Sequence, residues 1–203
     1  MLTLYTIHGS CSMGPHILLH ELDLEHQICV SSPETRAQLL EASPLGKVPA
    51  LQVKESGLAI TEQLGIDTYL AALRPNAKLV PDSPIDRARV YEALAFANST
   101  AHPPVSQMYF PQRYVETEKA HEAFVIGARA RFLKALTHLE TLLQGPYLLG
   151  ERFSLADPYL FVMYRWAEAT GFDMHTLPKL TQLGKTMLGR PSVQSMLRAE
   201  GLS

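Results

Sequence analysis

Leu2-Thr3-Leu4-Tyr5-Thr6-Ile7 runs into Gly9-Ser10-Cys11-Ser12 and then into Ile17-Leu18-Leu19, within a helix that opens near Pro15. The fold of the chain is read outward from this strand, turn and helix. The turn sets a thiol at a helix mouth, where first-turn N–H groups lack intrahelical partners and the helix dipole is positive. Both features favour a thiolate and make Cys11 a candidate nucleophile. The same position also suits an inert, half-buried thiol, since free cysteine is among the most buried residue types.

Downstream, short apolar segments alternate with helical patterns, as α/β units do. Residues 27–30 continue as a second strand and complete a βαβ unit. Residues 34–42 carry a short helix that Ser43-Pro44-Leu45-Gly46 ends, because proline and glycine both stop propagation. Val48-Pro49-Ala50-Leu51-Gln52-Val53 and Leu58-Ala59-Ile60 flank a turn containing Gly57 and predict a hairpin. Thr61-Glu62-Gln63 then opens a helix that buries Leu64, Ile66, Tyr69, Leu70 and Leu73 along one face. The order β-α-β-α-β-β-α predicts an α/β thioredoxin-like N-terminal domain over residues 1–74.

Residues 75–83, rich in proline and turn formers, predict a linker. Everything over 84–203 predicts an all-α helical bundle domain, with helices over residues 84 to about 99, 116 to 143, 154 to 170 and 177 to 188, and a last one from Pro191. His102-Pro103-Pro104 must interrupt or bend the first of these helices. Ser154-Leu155-Ala156-Asp157 has the spacing of a capping box, with Asp157 in the acidic position and Phe153 as staple. Loss of such a cap costs about 1 kcal/mol.

Composition narrows the function. Net charge is −2 with no basic cluster, which leaves no electrostatic footprint for nucleic acid or an anionic membrane. No apolar run approaches the ~20 residues of a membrane span, and no secretory signal is visible, so a cytoplasmic location is expected. In that reducing compartment a bridge between Cys11 and Cys29 is not expected. His16 and His20 stand four apart without a neighbouring Cys or carboxylate in metal-site spacing. No metal is predicted, and both are read as helix-surface or packing residues.

Two further stretches belong with Cys11. In Val48-Pro49 a proline opens a strand, either as the mouth of a site for a peptide-like ligand or as a plain edge-strand proline. Glu62-Gln63 sits at a helix start, where free N–H groups hold a carboxylate and Glu62 could meet an amino group, although the dipole alone also favours an acid there.

Taken together, Gly9-Ser10-Cys11-Ser12, Val48-Pro49-Ala50-Leu51, Thr61-Glu62-Gln63 and Ser154-Leu155-Ala156-Asp157 follow the order and spacing of cytosolic glutathione transferases. The chain resembles that family from end to end, with its beta class of bacterial enzymes as the nearest class. The resemblance implies a homodimeric transferase with glutathione as cosubstrate, bound in the thioredoxin-like domain, and a small apolar electrophile as the second substrate. It implies that Cys11 lies beside the glutathione sulfur with Ser12 as a possible donor, and that Val48 pairs its backbone with the cysteinyl part next to a cis Pro49. Glu62 and Gln63 would hold the γ-glutamyl end, Gln63 standing where the family usually has Ser or Thr. His102, Tyr109 and Phe110 would line the electrophile pocket, although Pro103 replaces the lysine that follows the histidine in the beta class.

The proposed chemistry lowers the pKa of the glutathione thiol and presents the thiolate to an electrophile. The alternatives are thiol–disulfide exchange or peroxide reduction through Cys11, and a non-catalytic binding module. Without Cys-x-x-Cys no local dithiol pair forms, and Cys29 reads as a core residue.

Overall fold

In the computed structural model, which describes residues 1–202, four strands form one mixed sheet in the order β2-β1-β3-β4. β1 (Leu2–Thr6) runs parallel to β2 (His26–Val30) and antiparallel to β3 (Ala50–Val53), with Leu4 opposite Ile28 on one side and Leu51 on the other. β4 (Leu58–Thr61) closes the hairpin at the sheet edge. All of β1 is buried because both of its faces are covered. Leu2 and Leu4 enter the main core, while Tyr5 packs with Leu39 and Ala42 of α2 (Arg36–Ala42), as the two-residue period of a strand requires.

The helix that follows β1, α1 (Met13–Glu21), is buried from Met13 to Leu19. It meets the sheet, α3 (Gln63–Leu73) and two helices from the far end of the chain, α7 (Asp157–Ala169) and α9 (Pro191–Glu200). A helix buried nearly all round can serve as such a hub. At its C-terminal end, Arg190 pairs with Glu21, which also accepts from Ser192 Oγ at 2.6 Å.

The chain leaves α3 through a single 3-10 turn, Pro75–Ala77, and enters α4 (Pro84–Phe96). The interruption expected at His102-Pro103-Pro104 takes the form of a π-helical turn over Ala97–Ala101, after which α5 (His102–Tyr109) carries both prolines in its first turn. Prolines there need no intrahelical donor, and the wider turn takes up the backbone they cannot serve. α6 (Glu118–Leu142), α7 and α8 (Pro178–Leu188) complete the bundle, with every residue of α7 from Asp157 to Tyr164 buried.

Helix α7 starts at Asp157 with Ala156 as its N-cap, two residues beyond the Ser154 N-cap of the capping-box reading. Asp157 Oδ2 accepts the Ser154 N–H at 2.6 Å and the Ser154 hydroxyl at 2.7 Å, and Oδ1 accepts the Leu148 N–H at 2.7 Å. Only the acid's half of the box is therefore made, and the acid reaches further, to a second loop.

α8 approaches α7 at Gly184, where an added Cβ would stand 2.4 Å from the Tyr164 ring. Gly184→Ala is expected to cost about 1–3 kcal/mol of stability by overpacking and to lower Tm by several degrees, readable by calorimetry.

The reading of His16 and His20 changes in the fold. His16 is 1% exposed, and His26, the first residue of β2, brings a third imidazole to the pair. The short connection from α1 to β2 doubles back, so the start of the strand lies beside the last turn of the helix. The rings of His16 and His20 stack with centroids 5.1 Å apart, and those of His20 and His26 meet edge-on at 5.0 Å.

Candidate functional site

The loop between β1 and α1 is held from the helical side of the molecule. Gly9, at φ +73° in the left-handed region that glycine tolerates, donates its N–H to Glu200 Oε2 at 2.9 Å, and its carbonyl accepts Trp166 Nε1–H at 2.9 Å. This places Cys11 at the mouth of α1, 7% exposed, with its Sγ–H donating to the Val48 carbonyl at 3.4 Å. Burial pushes the Cys11 thiol up to about 12, against the lowering effect of the Cys11 and Ser12 N–H groups and with the Asp67 and Glu62 carboxylates adding to the rise. The helix mouth does act as expected, but desolvation wins and Cys11 is a protonated thiol. The expected thiolate is corrected accordingly.

Ser12 is also corrected as a donor to a bound sulfur. It is fully buried, and its hydroxyl is engaged by Thr6 Oγ1, by Ser10 Oγ at 2.6 Å and by the Ile7 carbonyl at 3.3 Å. In the turn, Ser12 points into the sheet and Ser10 reaches the cavity.

Val48 borders the cavity, the Val48–Pro49 peptide bond is cis, and Pro49 is buried behind it. Glu62 is exposed at the start of α3 with φ 68° and ψ 129°, a strained backbone for a residue bearing a Cβ. Gln63, 3% exposed, turns inward and donates from Nε2 to Asp67 Oδ2 at 2.8 Å. Its amide fills the space over Gly14, where a Cβ would lie 2.6 Å from Gln63 Nε2. The Gln63 side chain, expected to meet a ligand, is instead spent on Asp67 and on the space over Gly14. Asp67 is fully buried, and burial pushes its carboxyl up to about 8, offset only in part by Gln63.

A cavity of about 1020 Å³ opens beside Cys11 and Val48. Its other wall comes from α5 and the segment after it, with His102, Tyr109 and Phe110, and from Trp166 of α7. The structure thus brings Cys11, Val48, His102, Tyr109 and Phe110 to one cavity, whereas Ser12, Pro49, Glu62 and Gln63 lie outside its wall. Burial, then the Lys47 charge, push His102 down to about 4, so its ring is neutral, with Nδ1 bonded to the Tyr159 hydroxyl at 2.9 Å. Trp166 is a wall residue that the expected set leaves out. Its ring lies 4.9 Å from His102 and its N–H holds the Cys11 loop, and no local signal marks either contact.

Two family models match the chain: "Glutathione S-transferase, N-terminal domain" over residues 8–73 and "Glutathione S-transferase, C-terminal domain" over residues 85–183. Among curated relatives, glutathione S-transferase GST-4.5 of Xanthomonas campestris is 32% identical over 204 residues, covering 98% of this chain and 99% of its own. Glutathione S-transferase GstA of Escherichia coli O157:H7 is 31% identical, covering 96% of each. Among solved structures, a glutathione transferase homologue from Sulfitobacter with bound glutathione superposes with a TM-score of 0.91 at 33% identity, over 100% of this chain and 99% of that one. A bacterial beta class glutathione S-transferase from Sphingomonas chungbukensis gives 0.85 at 33% identity, over 99% and 100%.

Proposed function

Since the chain belongs to the glutathione S-transferase family and is a glutathione transferase, we propose that it seats glutathione along the Cys11 and Val48 wall and presents the sulfur to an apolar electrophile held by His102, Tyr109 and Phe110. The observation that carries this reading is the Cys11 Sγ–H to Val48 carbonyl bond at 3.4 Å, a thiol and a strand-mouth backbone meeting at the edge of the cavity. Val48 offers peptide groups to the cysteinyl part. The exposed Glu62 carboxylate suits the α-amino group, and the first N–H groups of α3, that of Gln63 included, suit the γ-glutamyl carboxylate.

In this arrangement the Cys11 S–H turns from the Val48 carbonyl to the incoming sulfur and donates to it. That favours the glutathione thiolate over the thiol, while the lost proton passes to water in the open cavity. The thiolate then attacks the electrophilic carbon, forming a carbon–sulfur bond and expelling the leaving group with its bonding pair. A neutral His102, braced by Tyr159, presents an uncharged face to an apolar substrate. Disulfide exchange or peroxide reduction would need Cys11 as a thiolate, which its burial opposes.

We further read the chain as a cytoplasmic homodimer. Among the described residues no helix is long and apolar enough to cross a membrane, and both cysteines are free. The exposed apolar side chains of Leu58, Ile85 and Ile126 offer contact area to a second copy.

The test compares Cys11→Ala with the unaltered chain on two substrates, an aryl halide and a glutathione mixed disulfide. Conjugation is expected to fall about 10–100-fold in kcat/KM, the worth of one hydrogen bond to a charged sulfur, and to persist. Complete loss of conjugation, together with a Cys11–glutathione disulfide seen by mass spectrometry during turnover, would replace this reading with exchange chemistry.

A further inference from the structure

We propose that His16, His20 and His26 form a binding site for one divalent first-row transition-metal ion that favours imidazole ligands, of the zinc and copper type, with the Glu200 carboxylate orienting His16. The three residues come from two elements, α1 and β2, and one ring nitrogen of each lies within 4.8 Å of the others. His16 and His20 are one helical turn apart, the spacing at which two side chains on a helix face can share a ligand.

The hydrogen bonds prepare the lone pairs. His16 Nδ1–H donates to Glu200 Oε1 at 2.9 Å, which leaves His16 Nε2 as the bare nitrogen. His26 Nδ1–H donates to the Leu24 carbonyl at 2.7 Å, which does the same for His26 Nε2. A carboxylate or a carbonyl behind the far nitrogen is the outer support that metal-ligating histidines use to hold tautomer and ring angle. His16 Nε2 and His20 Nε2 are both buried and lack any hydrogen-bond partner. Burying two such groups unpaired is costly, and an ion between them supplies the partner.

A tetrahedral ion with nitrogen ligands at about 2.0–2.1 Å sets them roughly 3.3 Å apart, so the rings need to close by at most about 1.5 Å from where they stand. His20 and His26 are partly exposed, which provides an entry path and a fourth position for water. Arg198, whose charge acts on His20, is an unfavourable neighbour, and the Glu200 carboxylate beside His16 offsets it. Three neutral imidazoles without a thiolate suit zinc and copper better than calcium or magnesium, which take oxygen ligands. Glu200 also holds the Gly9 N–H through its second oxygen, so an ion here would brace the loop that carries Cys11.

The experiment is a calorimetric titration of the untagged chain with zinc chloride alone, followed by cupric ion monitored by electron paramagnetic resonance. One equivalent of zinc is expected to bind with micromolar or tighter affinity, and Tm to rise by roughly 5 °C at hundredfold excess over the dissociation constant. His20→Gln and His26→Gln should each weaken binding at least tenfold, whereas Cys11→Ala leaves it unchanged. The unaltered protein should show hyperfine splitting from imidazole nitrogens on the bound cupric ion, a readout independent of how the variants fold. No saturable zinc binding, binding that survives both histidine variants, binding that disappears with Cys11, or a cupric spectrum without nitrogen splitting would each overturn the assignment.

Discussion

Asp157→Ala is expected to destabilise the chain by about 3–5 kcal/mol and to lower Tm by roughly 10 °C, well beyond the ~1 kcal/mol of an ordinary helix cap. The carboxylate is fully buried and accepts three hydrogen bonds, from the Leu148 N–H and from the Ser154 N–H and hydroxyl. Truncation strands two buried backbone donors at once, each costing about 1–3 kcal/mol when left unpaired. Asp157→Asn should recover little, because one of its two positions would turn an NH2 group against a donor. Thermal melts of the three proteins check this, and a fall of only a degree or two in Asp157→Ala would show that the link to the Leu148 loop carries no energy. The folded fraction should keep its glutathione conjugation, since Asp157 lies away from the cavity wall.

A stability that falls as pH rises, and falls less in Asp67→Asn, is the second large effect. Asp67 is fully buried and its carboxyl is raised from 3.8 to about 8, first by burial. A carboxyl with a raised folded-state pKa contributes stability that is fully present below its unfolded pKa and is lost as pH climbs to the folded one. The loss therefore runs from about pH 4 to pH 8 and amounts to on the order of 5 kcal/mol. The surroundings fit a neutral acid: Gln63 Nε2–H donates to Asp67 Oδ2, while Gln63 Oε1 and Asp67 Oδ1 lack partners, and a proton on the carboxyl is the one donor the pair is missing. Asp67→Asn keeps shape and supplies an N–H in place of that proton. It should match the unaltered chain near pH 4 and exceed it above pH 8. Asp157, also raised by burial, to about 6, is present in both proteins and cancels in the difference. Parallel Tm curves for the two proteins from pH 4 to pH 9 would mean that Asp67 is ionised in the fold.

Much of the architecture was legible from local pattern. The apolar run of β1, the glycine turn between β3 and β4 and the proline stop before Val48 each depend on neighbours within a turn or a strand. The strands and most helices form within a few residues of where local pattern placed them, while α7 starts later and α5 follows a π-helical turn. Of the expected site residues, Cys11, Val48, His102, Tyr109 and Phe110 share one cavity, a set that the resemblance and not local pattern brought together. What local pattern could not supply was direction and solvation. Ser10 and Ser12 are alike as residues, and only the sheet beneath the turn decides that Ser10 borders the cavity while Ser12 is buried against Thr6. Gln63 reads as a ligand group until Gly14 and Asp67 draw it inward.

The chain's sequence by itself determined the strand-turn-helix that carries Cys11, the thioredoxin-like sheet and the helices that follow, because those follow from periodicity, turn chemistry and the backbone limits of proline and glycine. Only the tertiary structure decided the state of Cys11. The helix mouth favours a thiolate, but burial under groups far along the chain outweighs it and leaves a thiol. Contacts across the longest separations made the rest: Glu200 reaches Gly9 across 191 residues and His16 across 184, and joins a loop and a histidine cluster that no local pattern connects. Charge and hydrogen-bond state depend on which groups exclude water in three dimensions, and that is settled only when the chain has closed on itself.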